Sequence, residues 1–317
     1  MMNAKFRKLL FGTSLPQEYI CVAKENFSNQ FRVYLLTKNG FIDITDEHIL
    51  LGYCPVIIGL STAKNDSLSD LLDSKNEIIF MFGESAEEII AKVALKKIEI
   101  ITFESICFFL FEGIKGSHNF LSIIYQLTNN IKYKIQAEKK KNIYLKGNLY
   151  QQVKIAYSIP RNISLITLGN KSLFNIFPTD LNGRIDDNYF VISLRKTSKA
   201  NQQVIEQRKL LLSEISAESC IEVYSYGINH MRELQPIRNF SFNKELSESI
   251  KLPLPKNVLQ YFELEFVQQL VLGIHNLIFF TIIGSMKIGA SNTLAHIHRD
   301  YAQWRINNNL QSEFLFR

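Results

Sequence analysis

The chain has 317 residues, of which 46% are apolar, 12% aromatic and 21% charged, with a net charge of +6. This balance excludes a disordered or low-complexity polymer, and the length allows two domains that each bury a core. The small positive excess favours anionic ligands without marking a nucleic-acid-binding protein.

In chain order, the N-terminal segment carries positive charge but no continuous apolar run of signal-peptide length, so no secretion is expected. The strands begin at Tyr19–Ala23 and Phe31–Thr37, closed by the Asn39-Gly40 turn, a strong hairpin signal. Phe41–Thr45 alternates as a half-buried strand. Pro55–Leu60 is an apolar strand that runs into a hydroxyl- and charge-rich turn and a short amphipathic helix carrying Leu68, Leu71 and Leu72. A strand from Asn76 follows. Glu84–Ala94, with acidic residues first and apolar ones at helical spacing, is predicted as a helix. Strands are expected at Ile98–Phe103 and Ile106–Phe111, and a lysine-bearing linker over Ile135–Leu149. The Lys139–Lys141 run, with Lys132, Lys134 and Lys146, reads as a solvated inter-domain segment, and no nucleic acid is expected as a partner.

The second half is predicted to start near Gln151, with strands at Val153–Tyr157 and Ile163–Leu168. Phe174–Asp180 is a strand ending in the Pro178-Thr179-Asp180 turn, where proline removes a donor and Thr and Asp favour local bonds. Tyr189–Leu194 is a largely buried strand. It gives way at Arg195, Lys196, Thr197 and Ser198 to a helix ending near Lys209. A helix start with free amides, two cations and hydroxyls is a suitable phosphate seat. Residues 232–254 read as a loop excursion. Tyr261–Gly284 is two strands hinged at Gly273-Ile274-His275-Asn276. The run at 270–283 is too short and too polar to span a membrane, so no membrane is expected. The C-terminal segment has a helical centre bearing Trp304.

Two internal similarities suggest a tandem duplication. PVIIGLS from Pro55 matches YFVISLR from Tyr189, at an offset of 134 residues. Gly116-Ser117-His118-Asn119 matches Gly273-Ile274-His275-Asn276, at an offset of 157. Four scattered cysteines, Cys21, Cys54, Cys107 and Cys220, lack any ligand spacing. They suit a reducing cytoplasm, with Cys54 and Cys107 expected inside strands.

The order of strand, PT turn, strand, basic turn, helix, strand and Gly-x-His strand pair over residues 157–304 resembles the flavin-reductase-like family of FMN-binding split barrels. The resemblance implies a mainly β protein, a β-barrel with a few helices, arranged as tandem split β-barrels forming an internal pseudo-dimer. Residues 1–148 would be a degenerate split-barrel domain and residues 149–317 the FMN-binding one. It further implies that Pro178, Thr179 and Asp180 face the flavin ring, that Ser193, Arg195, Lys196, Thr197, Ser198 and Asn201 hold the phosphate, and that His275 stands on the flavin or nicotinamide side as the candidate catalytic residue. FMN is the implied cofactor, with NAD(P)H as a transient reductant and free flavin or a protein as electron acceptor. The chain would act as a monomer with its internal pseudo-dimer or as a homodimer, and no metal is expected. In the first half Ile44-Thr45-Asp46 replaces the PTD turn and Ser61-Thr62-Ala63-Lys64 replaces the basic turn, so that half is expected to be a structural wall. Two alternatives remain: a flavin- or phosphate-ligand-binding protein without turnover, and a structural split-barrel protein. A more distant one is a haem-handling barrel using His296 and His298, a pair more often found at a surface. GxGxxG, P-loop, HExxH and GxSxG motifs are absent.

Overall fold

The computed structural model describes residues 17–26, 31–37, 40–75, 77–83, 85, 88–140, 145–170, 172–310 and 313–315. The protein is mainly β. After β1 (Tyr19–Ala23) come β2 (Arg32–Thr37), β3 (Gly40–Asp43), β4 (His48–Tyr53), β5 (Val56–Ala63), β6 (Glu77–Gly83), β7 (Ile89–Thr102) and β8 (Ile106–His118), with helix α1 (Ser67–Ser74) between β5 and β6. Helices α2 (Ile123–Lys140) and α3 (Leu149–Ala156) connect the halves. The second half has β9 (Arg161–Asn162), β10 (Ser164–Gly169), β11 (Leu173–Thr179), β12 (Asn182–Arg184), β13 (Tyr189–Arg195), α4 (Lys199–Gln207), β14 (Lys209–Ile215) and α5 (Cys220–Ser225). It continues with β15 (Gln235–Pro236), β16 (Phe242–Leu246), β17 (Pro253–Pro255), β18 (Val258–Leu272), β19 (His275–Lys287), β20 (Leu294–His298), α6 (Arg299–Asn307) and β21 (Phe314–Leu315).

The two large sheets have the same topology. Their strand orders are β3-β2-β6-β7-β8-β5-β4 and β11-β10-β14-β18-β19-β13-β12, the latter extended at its β11 edge by β15. Ranked by position in its own half, each sheet runs second, first, fifth, sixth, seventh, fourth, third. The irregularities repeat as well: the β7–β8 ladder shifts register at Ala94/Leu95 and Lys97/Glu99, and β18–β19 at Glu263/Leu264 and Phe266/Gln268. Bulges re-aim strands and raise twist, so a matched pair in each long hairpin bends both sheets alike. Phe177 of β11 and Ile192 of β13, near opposite ends of the second sheet, meet in one core with Ile166, Leu212, Leu264 and Ile278. The first sheet encloses Val33, Leu35, Ile58, Phe80, Val93 and Phe111 in the same manner. The chain is therefore a tandem of two curled β-barrels.

Equivalent elements face each other across the junction. Ile49 and Leu51 of β4, Ile57 of β5 and Leu110 of β8 form one buried cluster with Val191 of β13 and Leu277 and Phe279 of β19. A Cβ added at Gly183 of β12 would fall 2.7–2.9 Å from the Ile49 side chain of β4, so that side chain packs directly on the β12 backbone. A surface that meets its own counterpart is the geometry of a two-fold dimer, built here within one chain. β1 and the segment from β20 onward interlock with it. β1 pairs with β20 in a small sheet of order β21-β1-β20-β9, and Ile297, Tyr301 and Ala302 contribute to the core of the first barrel.

Several expectations change. Residues 89–94 are strand, not helix: Ile90, Ala91 and Val93 are buried against β6 while Lys92 is exposed. The pairing of β-branched residues outweighs the helical spacing; residues 84, 86 and 87 lie outside the described residues, as does Asn39 of the hairpin turn. Residues 153–156 form the end of α3, which lies on Gly113 and Gly116 of β8, where a Cβ would strike Gln152. α2 occupies the first part of the expected linker. The Gly-x-His-Asn similarity is not structural equivalence, because His118 ends β8 whereas His275 begins β19. Cys54 and Cys107 are half-buried and Cys21 and Cys220 fully buried. His296 and His298 are buried as well. Among the described residues no helix is long and apolar enough to cross a membrane, and no cluster of three potential metal ligands exists.

Candidate functional site

The basic turn lies where β13 ends. Strand pairing with β19 runs to Arg195 opposite His275, after which Ser198 caps α4: its Oγ accepts from the Asn201 amide (3.1 Å) and donates to the Arg195 carbonyl (2.8 Å). A serine N-cap stops the strand and starts the helix without placing a charge at the positive end of the dipole. Arg195, Lys196 and Thr197 are exposed, while Ser198 and Asn201 are buried. Among the described residues neither Arg195 nor Lys196 has a carboxylate within ion-pair distance, whereas Lys199 pairs with Glu233 at 2.6 Å. Two cations without a carboxylate partner among the described residues, a hydroxyl and a neutral-capped helix start match the charge of a phosphomonoester.

The first barrel closes this corner. The β18–β19 turn inserts against the β4–β5 turn: Ile274 N–H donates to the Cys54 carbonyl (3.2 Å), and Lys196 N–H donates to the Ile274 carbonyl (3.0 Å). The Arg195 guanidinium stands 5.5 Å from the centre of the Tyr53 ring, within cation–π range. Burial raises the Tyr53 pKa, with Arg195 opposing it. The Tyr53 and His275 rings in turn meet at a steep angle, with centroids 4.7 Å apart.

His275 is buried and both its ring nitrogens are engaged. Tyr53 N–H donates to Nε2 (3.3 Å), so Nε2 lacks a proton, and Nδ1–H donates to Ser193 Oγ (3.3 Å). Burial, reinforced by Arg195 and opposed by Asp180, pushes its pKa down to about 4. The imidazole is thus neutral near pH 7 and ties the second barrel to the first.

The PTD turn connects to Tyr53 through Arg161 and Tyr157. The Pro178 carbonyl accepts from His230 Nε2 (2.7 Å) and the Thr179 carbonyl from Asn182 Nδ2 (3.2 Å). Asp180 pairs with Arg161 and His296, each at 2.7 Å. Burial favours its neutral form, but Arg161 and His296 hold its pKa well below the usual carboxylate range. Arg161 lies over the Tyr157 ring at 3.5 Å, and Tyr157 packs edge-on to Tyr53 at 6.2 Å. The predicted residues therefore fall into two groups: the basic turn, open to solvent, and Asp180, bound in an ion cluster with Arg161 and His296. Tyr53, Arg161 and His230 carried no sequence signal. His296 was visible only as half of a His-x-His pair.

The pseudo-equivalent turn of the first half differs at each point that matters. Lys64 Nζ donates to the Glu104 carbonyl (2.7 Å), and α1 is capped by Asp66, whose carboxylate accepts from Leu68 N–H (3.0 Å). An anion already sits at that helix start.

Protonating the buried histidines opposes folding. His275 and His118 titrate near 4 in the folded protein, below an unfolded value of about 6.5. The unfolded chain binds more protons between these values, so stability is complete above pH 6.5 and declines as the pH falls toward 4, by up to about 1.4 kcal/mol per pH unit for each histidine. Urea unfolding midpoints measured across this interval will show the decline; a flat profile would contradict burial of the two neutral rings.

No protein-family model matches the sequence, and no curated protein matches it. Among solved structures, the chain is similar to the NADH:FAD oxidoreductase SgcE6 of Streptomyces globisporus C-1027, with 13% identity over 46% of this chain and 87% of that one and a TM-score of 0.41. It is similar to BorF, the flavin reductase component of a bacterial two-component tryptophan halogenase, with 14% identity, 53% and 98% coverage and a TM-score of 0.42. A third is an FMN-binding protein from Thermus thermophilus, with 14% identity, 44% and 87% coverage and a TM-score of 0.38. Each spans about half of this chain.

Proposed function

We propose that the chain is an FMN-binding flavoprotein, a flavin-reductase-like oxidoreductase that takes electrons from NAD(P)H and passes them to free flavin or a protein acceptor. Residues 149–317 supply the cofactor site and residues 1–148 one wall of it. The observation that carries this reading is the pair of cations, Arg195 and Lys196, that have no carboxylate partner among the described residues and stand at the Ser198-capped start of α4, with Arg195 beside Tyr53 of the other barrel. Arg195, Lys196, Thr197 and the α4 amides would hold the phosphate, with Ser198 and Asn201 fixing the turn, while Tyr53 and the backbone of the PTD turn would border the ring. Hydride acceptance and transfer are the chemistry that FMN itself supplies. The protein's part is to position the cofactor, shield it from water and keep His275 and Ser193 as a fixed, neutral support behind it.

The expected stoichiometry is one flavin per chain, because Asp66 repels a phosphate at α1 and Lys64 is already bonded. The test is the visible spectrum of the purified protein after incubation with FMN and desalting. The parent should retain flavin at one equivalent and Arg195→Ala/Lys196→Ala should lose most of it. Removing two charge-assisted contacts at about 1.5–3 kcal/mol each predicts a weakening of 100-fold or more. A colourless parent would overturn the cofactor assignment, and two equivalents would overturn the asymmetry.

A second reading, a flavin-binding protein without turnover, is favoured by the burial of His275, whose two ring nitrogens are both engaged. NAD(P)H oxidation by the loaded protein separates the two: turnover supports the reductase, and its absence with flavin retained supports the binding protein. Cytoplasmic residence, proposed from the free cysteines, accords with either.

A further inference from the structure

A cavity of about 380 Å³ lies between the barrels, away from the basic turn. Of the residues assigned above to the flavin, only Asp180 borders it, and Asp180 is already neutralised by Arg161 and His296. The floor is apolar and comes from both halves, with Leu50, Ile58 and Phe80 from the first barrel and Phe190 and Phe262 from the second. Its volume lies within the range of small-molecule sites, about 300–1,000 Å³.

The polar lining is incompletely paired. Arg184 pairs with Asp187. Glu214, half-buried, receives only a 3.5 Å contact from the Asn162 amide, and among the described residues no cation reaches it within ion-pair distance. Burial raises its pKa, while Lys24, the Asn162 amide and Arg184 draw it back. Lys24, half-buried on the same cavity, likewise has no carboxylate within ion-pair distance among the described residues. An anion and a cation thus border one cavity without forming an ion pair, and Lys24 acts on Glu214 only at longer range. Half-buried charges left in this state carry a desolvation cost that a ligand bearing both complementary charges would relieve.

We propose that this cavity is a second ligand site, distinct from the flavin corner, for an amino-acid-like zwitterion with an apolar side chain. The ammonium group is placed at Glu214, the carboxylate at Lys24, and the side chain on the Phe80, Phe190 and Phe262 floor.

The test uses L-phenylalanine as probe, with phenethylamine and hydrocinnamate as controls that each lack one charge, followed by calorimetry or ligand-detected NMR on the full chain. L-phenylalanine should bind, and both controls should bind at least about tenfold more weakly, since each forfeits one charge-assisted contact. Glu214→Gln and Lys24→Met should each reduce affinity by a similar factor. Flavin retention should be unchanged in both variants, because neither residue belongs to the flavin corner, and this separates failure here from failure of the flavin reading. The proposal is overturned if L-phenylalanine does not bind at millimolar concentration, if the singly charged controls match it, or if both variants bind it as the parent does while keeping the parent's circular dichroism.

Discussion

Lys154→Met will destabilise the protein by about 3–5 kcal/mol, the cost expected when one partner of a buried ion pair is removed. Lys154 Nζ is fully buried, 2.9 Å from Asp300 Oδ2, with the Tyr150 ring 4.4 Å away. Burial alone would favour a neutral Asp300, but His298 and Lys154 draw its pKa down to about 2. Without Lys154 the carboxylate keeps only a 3.7 Å contact with Arg299 beside its His298 neighbour, and it must either remain charged and poorly paired or take up a proton. The pair joins α3 to α6, so it fixes the C-terminal helix onto the first barrel. Urea titrations of Lys154→Met, Asp300→Leu and the double variant distinguish a coupled pair from two independent contacts. Each single change should be costly, and the double should recover much of the loss because no lone charge is left buried. Additive losses in the double variant would refute the coupling.

Gly273→Ala is the second large effect, expected at about 2–5 kcal/mol. Gly273 has φ +59 and opens the turn between β18 and β19. A left-handed backbone costs a residue with a Cβ about 1–2 kcal/mol. The added carbon would also lie 2.4 Å from the Cys54 carbonyl oxygen and 2.4 Å from Pro55 Cδ, and an overpacked contact of that kind costs about 1–3 kcal/mol. The obstruction is another barrel's backbone, so it cannot be relieved by a rotamer change. The same turn carries the Ile274 carbonyl that receives Lys196 N–H and the His275 that receives Tyr53 N–H. Opening it should therefore weaken flavin retention along with stability. By contrast, Gly227→Ala, where a Cβ meets nothing within 4 Å, should leave both almost unchanged. Thermal unfolding and the absorbance of desalted, FMN-treated protein report the two effects. A Gly273→Ala protein that unfolds like the parent would show that the barrels do not meet at this turn.

Much of the local structure was legible in the residues. Ser198 after an apolar strand announced both the end of β13 and the start of α4, because a cap acts on amides two or three residues away. The repeated topology was legible in the likeness of β5 to β13, since both strands meet the same two-sided burial. The second supposed repeat marker misled: Gly-x-His-Asn is four residues long, and His118 and His275 lie at opposite ends of corresponding strands. Ile89–Thr102 was misread at its start because alternate burial in a bulged strand is easily mistaken for helical spacing over a few residues.

The amino-acid sequence by itself determined the mainly β character, the basic turn before α4 and the loss of that basic turn in the first half, all of which rest on neighbours along the chain. Only the tertiary structure decided that Asp180 is bound by Arg161 and His296, that His275 is buried against Tyr53, and that Lys24 and Glu214 border one cavity. Those pairings join residues far apart in the chain, and which buried charge finds a partner depends on the path of the backbone between them rather than on the residue types alone.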